Sequence, residues 1–169
     1  WTPPRRPKLP ELTRYFCRHC RAPTASLPSF AARRPESSMN HRGPVRIEER
    51  HAFDTVIDAR SPAEFAIDHL PGAINCPVLD DEERRIVGTL YKQQGAFEAR
   101  RVGGAFVAAN LARHLQGRFA EQPAVWRPLV YCWRGGMRSG SMVTWLRMVG
   151  WNAQQLSGGY KAWRRHVIT

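Results

Sequence analysis

One cysteine in the second half of the chain has neighbours of the kind that make a thiol reactive. Cys132 follows an apolar, β-branched run, and Arg138 and Ser139 come after five intervening residues. Two of these, Gly135 and Gly136, allow the backbone to turn with positive φ, so that successive N–H groups can face inward and hold an anion. A helix that begins at Ser139 would add the positive end of its dipole. The pattern predicts a nucleophilic cysteine in an anion-binding loop.

The other residues of this loop fit the same interpretation. Arg134 and Arg138 carry guanidinium groups, whose fork of donors suits tetrahedral oxyanions. A thiolate is favoured beside arginines and a helix N-terminus, and it can attack sulfur, selenium or phosphorus and keep the transferred group covalently. Trp133 either stacks on a nucleic-acid base or forms a hydrophobic lid. We therefore assign catalysis to Cys132 and substrate or anion binding to the rest of the loop, namely Trp133, Arg134, Gly135, Gly136, Met137, Arg138 and Ser139.

Strands and helices alternate along the part of the chain that carries this loop. Apolar runs predict strands at residues 55–58, 74–78, 128–132 and 153–156. Caps and apolar periods predict helices at residues 62–67, 80–91, 97–115, 139–149 and 160–166. The predicted caps are Ser61, in a capping box with Glu64, and Asp80 or Asp81, and a turn is expected at Gly158-Gly159. The alternation predicts an α/β fold of the doubly wound type, with a mainly parallel sheet and helices on both faces. Ligands bind beyond the carboxyl ends of the strands in such sheets.

Two further groups of side chains need a role. Asp58 and Arg60 follow the first strand, at the same sheet edge as Cys132, and we expect them to support the site as an ion pair that fixes the first strand–helix turn. Cys76 stands in an apolar strand and is expected to pack in the core rather than act as a second redox partner. A solvated helix face, rather than an RNA contact, is expected for Lys92, Arg100 and Arg101.

Charge and proline are concentrated at the start of the 169-residue chain. Residues 1–38 hold eight Lys or Arg against two Glu, which is half of the net charge of +12, and seven of the thirteen prolines. Such a segment cannot bury a core, and we interpret it as a disordered or non-native leader that ends before Met39, the first methionine. Residues 39–52 are then a lead-in segment and residues 53–169 one folded domain. The excess of basic over acidic residues is compatible with RNA binding but does not decide it.

The sequence also bears on location and metal binding. No run of about 18 apolar residues occurs, and no secretion signal precedes the domain, so we expect no membrane span and a cytoplasmic location. Cys17 and Cys20 have the spacing of half a zinc site, but no second ligand pair stands nearby. We therefore expect no metal site and free thiols.

Several ordered motifs resemble those of rhodanese domains. They are the segments 58–60, 64–65 and 69–75, the Cys132 loop, and Gly158-Gly159-Tyr160-Lys161-Ala162-Trp163, and the likeness covers about residues 53–165. Rhodanese domains have a doubly wound α/β fold, which agrees with the alternation of elements. Their active loop is often six residues long, whereas Cys132 to Arg138 spans seven, as in Cys-x5-Arg phosphatases. The wider loop suits a tetrahedral, phosphate-like group.

Within this family the chain is most similar to bacterial tRNA 2-selenouridine synthases. The segments 81–84 and 87–95 and the run Cys132–Ser139 carry this likeness. The resemblance implies replacement of the 2-thio sulfur of a wobble uridine in tRNA by selenium from selenophosphate, with the chalcogen held on Cys132. It also implies geranyl diphosphate as a substrate of the full-length family. A general sulfurtransferase, a Cys-x5-Arg phosphatase and a non-catalytic phosphate-binding module remain alternatives.

One feature of the full-length family is missing from this sequence. Those proteins resemble a two-part chain in which a nucleotide-binding P-loop domain follows the rhodanese domain. No Gly-x4-Gly-Lys-Ser/Thr motif occurs here. We therefore expect a C-terminal P-loop domain in the full-length protein, no cofactor in this piece, and selenophosphate and tRNA as its partners.

Overall fold

The structure, a computed structural model, describes residues 43–168. Within them, four parallel strands form one sheet in the order β2-β1-β3-β4. After a 3-10 turn at Ile47–Ala52, the elements are β1 (Thr55–Asp58), α1 (Pro62–Ile67), β2 (Ile74–Asn75), α2 (Asp81–Gln93), α3 (Ala96–Gln116), β3 (Pro128–Tyr131), α4 (Met137–Val149), β4 (Gln154–Gln155) and α5 (Gly159–Ile168). The predicted α/β fold with a parallel sheet is confirmed.

Both faces of the sheet are covered, because side chains that alternate along each strand enter different clusters. Ile57 and Val130 pack against α3 and α4 through residues such as Leu111 and Met142. On the opposite face, the side chains of β3 pack with α5 and the 3-10 turn, in a cluster made by Val45, Ile47, Leu70, Leu129, Tyr131, Leu156 and Tyr160. The two central strands are thereby held from both sides, and their carboxyl ends are fixed next to each other.

The predicted caps of the first two helices are present. Ser61 is the N-cap of α1, Pro62 follows it, and the Ser61 amide donates to the Glu64 carboxylate at 3.2 Å. Asp80 caps α2 by accepting from the amide of Glu83 at 2.8 Å. Capping groups of this kind satisfy amides that the first helical turn leaves without partners.

Several predicted element boundaries are wrong, including those of β2, β4 and α4. The second strand is Ile74–Asn75 rather than 74–78, because Pro77 offers no N–H to a ladder. The last strand is Gln154–Gln155 rather than 153–156. Helix α4 begins at Met137 rather than at Ser139, since Gly136 is its N-cap and accepts from the amide of Gly140 at 3.0 Å.

The segment before β1 joins the last strand. Val45 forms a parallel bridge with Leu156, with hydrogen bonds from the Val45 amide to Gln155 O (2.8 Å) and from Ser157 to Val45 O (2.7 Å). Val45 is buried, so this contact fixes the outer edge of the sheet beside β4. The leader interpreted at residues 1–38 and the Cys17–Cys20 pair lie outside the described residues.

Across residues 43–168, no helix combines the length and the apolar character that crossing a membrane requires. The same part of the chain brings together no group of three His, Cys, Asp or Glu side chains that could hold a metal ion.

Candidate active site

Cys132 lies where the topology predicted it, directly after the carboxyl end of β3. The loop that follows reaches α4 within five residues, 132–136. Cys132 is buried, with 3% of its surface exposed, and it is one of two free cysteines among residues 43–168. The central strand and the helix therefore hold the thiol in a fixed position.

Two hydrogen-bond donors face the sulfur atom of Cys132. The amide of Gly136 lies 3.2 Å from Sγ, and the hydroxyl of Ser139 lies 3.1 Å from it. Both donors belong to the start of α4, whose 13 residues add the positive end of a helix dipole. A negative charge on sulfur is favoured by each of these groups. The arrangement suits a thiolate nucleophile.

The two loop glycines have different conformations. Gly135 has φ +71°, and a Cβ built on it would lie 2.8 Å from Leu156 O, so only glycine fits there. Gly136 has φ −95° and ψ −149°, and the prediction that it also adopts positive φ is wrong. Its backbone is that of a helix cap, and this turns its amide toward Cys132.

Helix α5 is docked on the same loop through its first backbone amides. Tyr160 N donates to Cys132 O at 2.9 Å, and Lys161 N donates to Trp133 O at 3.1 Å. The contact is closest at Gly159, where a Cβ would lie 2.2 Å from Cys132 O. The sequence predicts a turn at Gly158-Gly159, and the structure adds that Gly159 lets α5 approach the Cys132 loop.

Arg138 is held by a partner that sequence reasoning assigned only to a helix cap. Its Nη1 and Nη2 atoms lie 2.5 Å and 3.2 Å from the two carboxylate oxygens of Glu64 in α1. Burial on its own would raise the pKa of Glu64, but the hydrogen bonds and charge of Arg138 outweigh it and keep that pKa below its ordinary value. The fork of Arg138 is thus occupied by a carboxylate.

The remaining loop side chains face solvent. Trp133 is 41% exposed, and its ring centroid lies 5.3 Å from that of Tyr160. Arg134 and Met137 are also exposed. Trp133 is therefore packed in part against Tyr160 of α5 and is open to solvent in part, which fits either of its two predicted roles.

Asp58 and Arg60 form a buried ion pair at the end of β1. Arg60 Nη2 lies 2.6 Å from Asp58 Oδ2, and the two side chains are 2% and 0% exposed. The guanidinium also donates to Asp68 O at 2.7 Å and lies 4.1 Å from the centre of the Tyr160 ring. Because Tyr160 lies in the first turn of α5, the Asp58–Arg60 pair supports the helix that contacts the Cys132 loop.

Of the other residues singled out in the sequence, Arg100 lines a cavity together with Met137 and Arg138. Cys76 is fully buried in the apolar core, and burial raises the pKa of its thiol to about 11 although the charge of Arg118 opposes the shift. Lys92 is exposed. Arg101 pairs with Glu98 on the surface of α3, and Arg100 Nε donates to Ala96 O.

Sequence reasoning missed one residue that touches the loop directly. Gln155, the last residue of β4, places its amide nitrogen against the loop carbonyls of Gly135 and Gly136 and against Ser139. A polar residue at the carboxyl end of the strand next to β3 is the signal that would have indicated it.

Comparison with known proteins agrees with this geometry. The rhodanese-like domain family matches residues 45–166. The tRNA 2-selenouridine synthases of Nitrosomonas europaea and Serratia proteamaculans are 41% and 39% identical over 117 and 115 residues, which is 68% of this chain in both cases. The chain spans only about 30% of the length of these relatives.

A solved structure covers the same region. The N-terminal domain of a Clostridium difficile 630 protein described as ATP/GTP binding is 40% identical, with a TM-score of 0.65, and the match covers 75% of this chain and all of that domain. The family match spans most of the chain and includes both the Cys132 loop and the docked helix α5. The chain belongs to the rhodanese-like domain family.

Proposed function

We propose that this chain is the rhodanese domain of a tRNA 2-selenouridine synthase and that Cys132 carries the selenium or sulfur atom under transfer. The observation that carries the proposal is the placement of Cys132 Sγ at the start of α4, within hydrogen-bond distance of Gly136 N and Ser139 Oγ. The relatives that bear this enzyme name supply the substrate class.

The first chemical step follows from a thiolate at that position. With thiosulfate, a simple donor, the sulfur of Cys132 would attack the outer sulfur atom and form an S–S bond. The bond between the two donor sulfurs breaks, and its electron pair leaves with sulfite. The product is a persulfide whose terminal sulfur is anionic. The same amide, hydroxyl and helix dipole that favour the thiolate suit this second anion.

Selenophosphate and tRNA are the substrates that we assign to the complete protein. Near the loop, the exposed cations Arg134 and Lys161 suit phosphate groups of either substrate, and the exposed part of the Trp133 ring suits a base. Arg138 is assigned a supporting role, because its fork already binds Glu64.

The domain organisation is part of the proposal. Residues 1–38 are a leader, residues 39–52 a lead-in segment and residues 53–169 the rhodanese domain. The relatives are about three times as long as the matched region, and the matched domain of the Clostridium difficile protein is the N-terminal part of a chain described as ATP/GTP binding. We assign nucleotide binding and any use of geranyl diphosphate to a C-terminal P-loop domain.

The alternative function is a general sulfurtransferase or a Cys-x5-Arg phosphatase. The seven-residue span from Cys132 to Arg138 favours a phosphate-sized ligand. The pairing of Arg138 with Glu64 counts against a phosphatase, since that arginine would have to leave a carboxylate before it could bind phosphate.

The test is selenium incorporation into 2-thiouridine tRNA by the protein joined to its downstream domain. Cys132→Ser is expected to abolish incorporation, whereas Cys76→Ser, a matched change of the other described thiol, is expected to retain it. Activity of the Cys132→Ser protein close to that of the unmodified protein would overturn the proposed function. Release of phosphate from an aryl phosphate, without selenium incorporation, would favour the phosphatase.

A further inference from the structure

The side-chain amide of Gln155 reaches three oxygen atoms around the Cys132 loop. Its nitrogen lies 2.8 Å from Gly135 O, 2.9 Å from Gly136 O and 2.9 Å from Ser139 Oγ. Carbonyl oxygens accept hydrogen bonds and cannot donate them. The nitrogen of the amide, rather than its oxygen, must therefore face the loop.

This contact decides where the hydroxyl hydrogen of Ser139 points. Ser139 is fully buried, and its hydroxyl has two acceptors within reach, Cys132 Sγ at 3.1 Å and Gly136 O at 3.3 Å. The Gln155 nitrogen shares its two hydrogens among Gly135 O, Gly136 O and Ser139 Oγ, so it approaches the hydroxyl as a donor. Gly136 O also accepts from the amide of Gly140 at 3.0 Å, so that both of its lone pairs already have donors. The single hydroxyl hydrogen is then left for the sulfur.

We infer that Gln155 is a positioning residue, which acts through Ser139 to keep an O–H hydrogen bond on the sulfur of Cys132. The inference deepens the proposed function, because it rests on Cys132 as the group that carries the chalcogen. A donor held on sulfur stabilises a negative charge on that atom.

The loop and the elements around it also carry charged groups. They are Asp58 at the end of β1, Arg60 after it, Glu64 of α1, Arg134 in the loop, Arg138 of α4 and Lys161 of α5. Asp58–Arg60 and Glu64–Arg138 are ion pairs. Substitution of Gln155 or Ser139 leaves the charge of all these groups unchanged, so a change in the pH dependence reports on the hydrogen bonds.

The test is the rate at which iodoacetamide alkylates Cys132 in the full chain, measured against pH with site-resolved mass spectrometry. Ser139→Ala is expected to raise the midpoint of the profile by about 0.5 to 1 pH unit, the worth of one hydrogen bond. Gln155→Met, which keeps the length of the side chain and removes the donor, is expected to raise it in the same direction. The double variant is expected to match Ser139→Ala alone, because both changes act on one hydrogen bond.

The neighbouring glutamine provides the matched control. Gln154 contacts Arg147 and Asn152 instead of the loop, so Gln154→Met is expected to leave the midpoint in place. A Gln155→Met midpoint equal to that of the unmodified protein would overturn the inference. Shifts that add in the double variant would also overturn it, because Gln155 would then act through the loop carbonyls. If Gln155→Met fails to fold, Gln155→Leu serves, since it removes the same donor without adding a charge.

The readout separates this inference from the proposed function, because alkylation needs neither selenium donor nor tRNA. Selenium transfer by Cys132→Ser would overturn the function while the alkylation profiles still report on Gln155. If Cys132→Ser loses selenium transfer but the alkylation midpoint of Gln155→Met equals that of the unmodified protein, only the inference about Gln155 is overturned.

Discussion

Gly159 lies so close to Cys132 that a methyl group cannot stand between them. A Cβ at Gly159 would be 2.2 Å from Cys132 O and 2.6 Å from Gly135 N, and the residue has φ +57°. The next amide, Tyr160 N, donates to the same carbonyl at 2.9 Å. The active loop is therefore shaped by α5 from one side and by α4 from the other.

We expect Gly159→Ala to destabilise the domain by about 3 kcal/mol, because it combines a left-handed backbone with a clash against backbone atoms. Gly72→Ala is the matched control: Gly72 has φ +77° and no atom within 4 Å of a new Cβ. That change is expected to cost about 1 kcal/mol, the backbone strain alone. Urea unfolding measures both. If both variants lost the same free energy of unfolding, the close approach of α5 to the Cys132 loop would not contribute to the effect of Gly159→Ala.

The buried pair at the end of β1 gives a second stability prediction. Asp58→Asn leaves the guanidinium of Arg60 buried without its counter-charge, and we expect a loss of about 3 to 5 kcal/mol. Asp54→Asn alters the exposed pair with Arg127 and is expected to cost less than about 1 kcal/mol. The free energy of unfolding in urea is the measurement. If Asp58→Asn lowered the free energy of unfolding no more than Asp54→Asn, the Asp58–Arg60 pair would not be what stabilises the turn after β1.

The Glu64–Arg138 pair predicts a pH dependence with a defined sign. The pKa of Glu64 is lower in the native state than in the unfolded chain, so its ionised carboxylate stabilises the fold. This contribution to the free energy of unfolding is complete above the unfolded pKa of about 4.3 and is lost as the pH falls through the native pKa. Glu64→Gln keeps an oxygen to cap the Ser61 amide and removes the charge. We expect it to cost about 0.5 to 1 kcal/mol near neutral pH.

The difference between the unmodified protein and Glu64→Gln should therefore shrink in acid. Urea unfolding at several pH values measures it. Glu82→Gln, in the exposed pair with Arg85, is the control and is expected to leave the stability nearly unchanged at every pH. A Glu64→Gln deficit that stays constant down to about pH 3 would contradict the assignment of the lowered pKa to Arg138.

The two described thiols are expected to differ in reactivity. Burial, opposed by the charge of Arg118, raises the pKa of Cys76 to about 11, and the residue is fully buried. Alkylation of the folded protein at about pH 8 should therefore modify Cys132 and leave Cys76 unmodified. Peptide mapping by mass spectrometry measures each site, and in the urea-unfolded protein both should react. Comparable rates at the two thiols of the folded chain would be incompatible with these environments.

The local part of the site follows from the sequence, because it is built from consecutive residues. An apolar strand, a cysteine, glycines and a helix start are enough to place Cys132 beyond the end of β3. The capping motif at Ser61 and Glu64 is likewise local, and the structure contains it. Such features depend on propensities and turn chemistry within a few residues.

The long-range part of the site does not follow from the sequence. Glu64 and Arg138 are separated by 74 positions, and Gln155 and Gly135 by 20, so no local pattern links them. The prediction of a positive φ at Gly136 is wrong for a related reason. Glycine adopts either sign of φ with little cost, and here the early start of α4 selects the negative one.

The central claim is that Cys132 carries the transferred chalcogen, and the mass of the chain after exposure to a donor tests it most directly. After incubation with thiosulfate, and separately with its selenium analogue selenosulfate, we expect one added chalcogen atom that peptide mapping assigns to Cys132, with sulfite as the leaving group. The adduct should persist in Cys76→Ser, be absent in Cys132→Ser, and be removed by a reducing thiol. An adduct that survives in Cys132→Ser, or no adduct on Cys132 with either donor, would contradict the account.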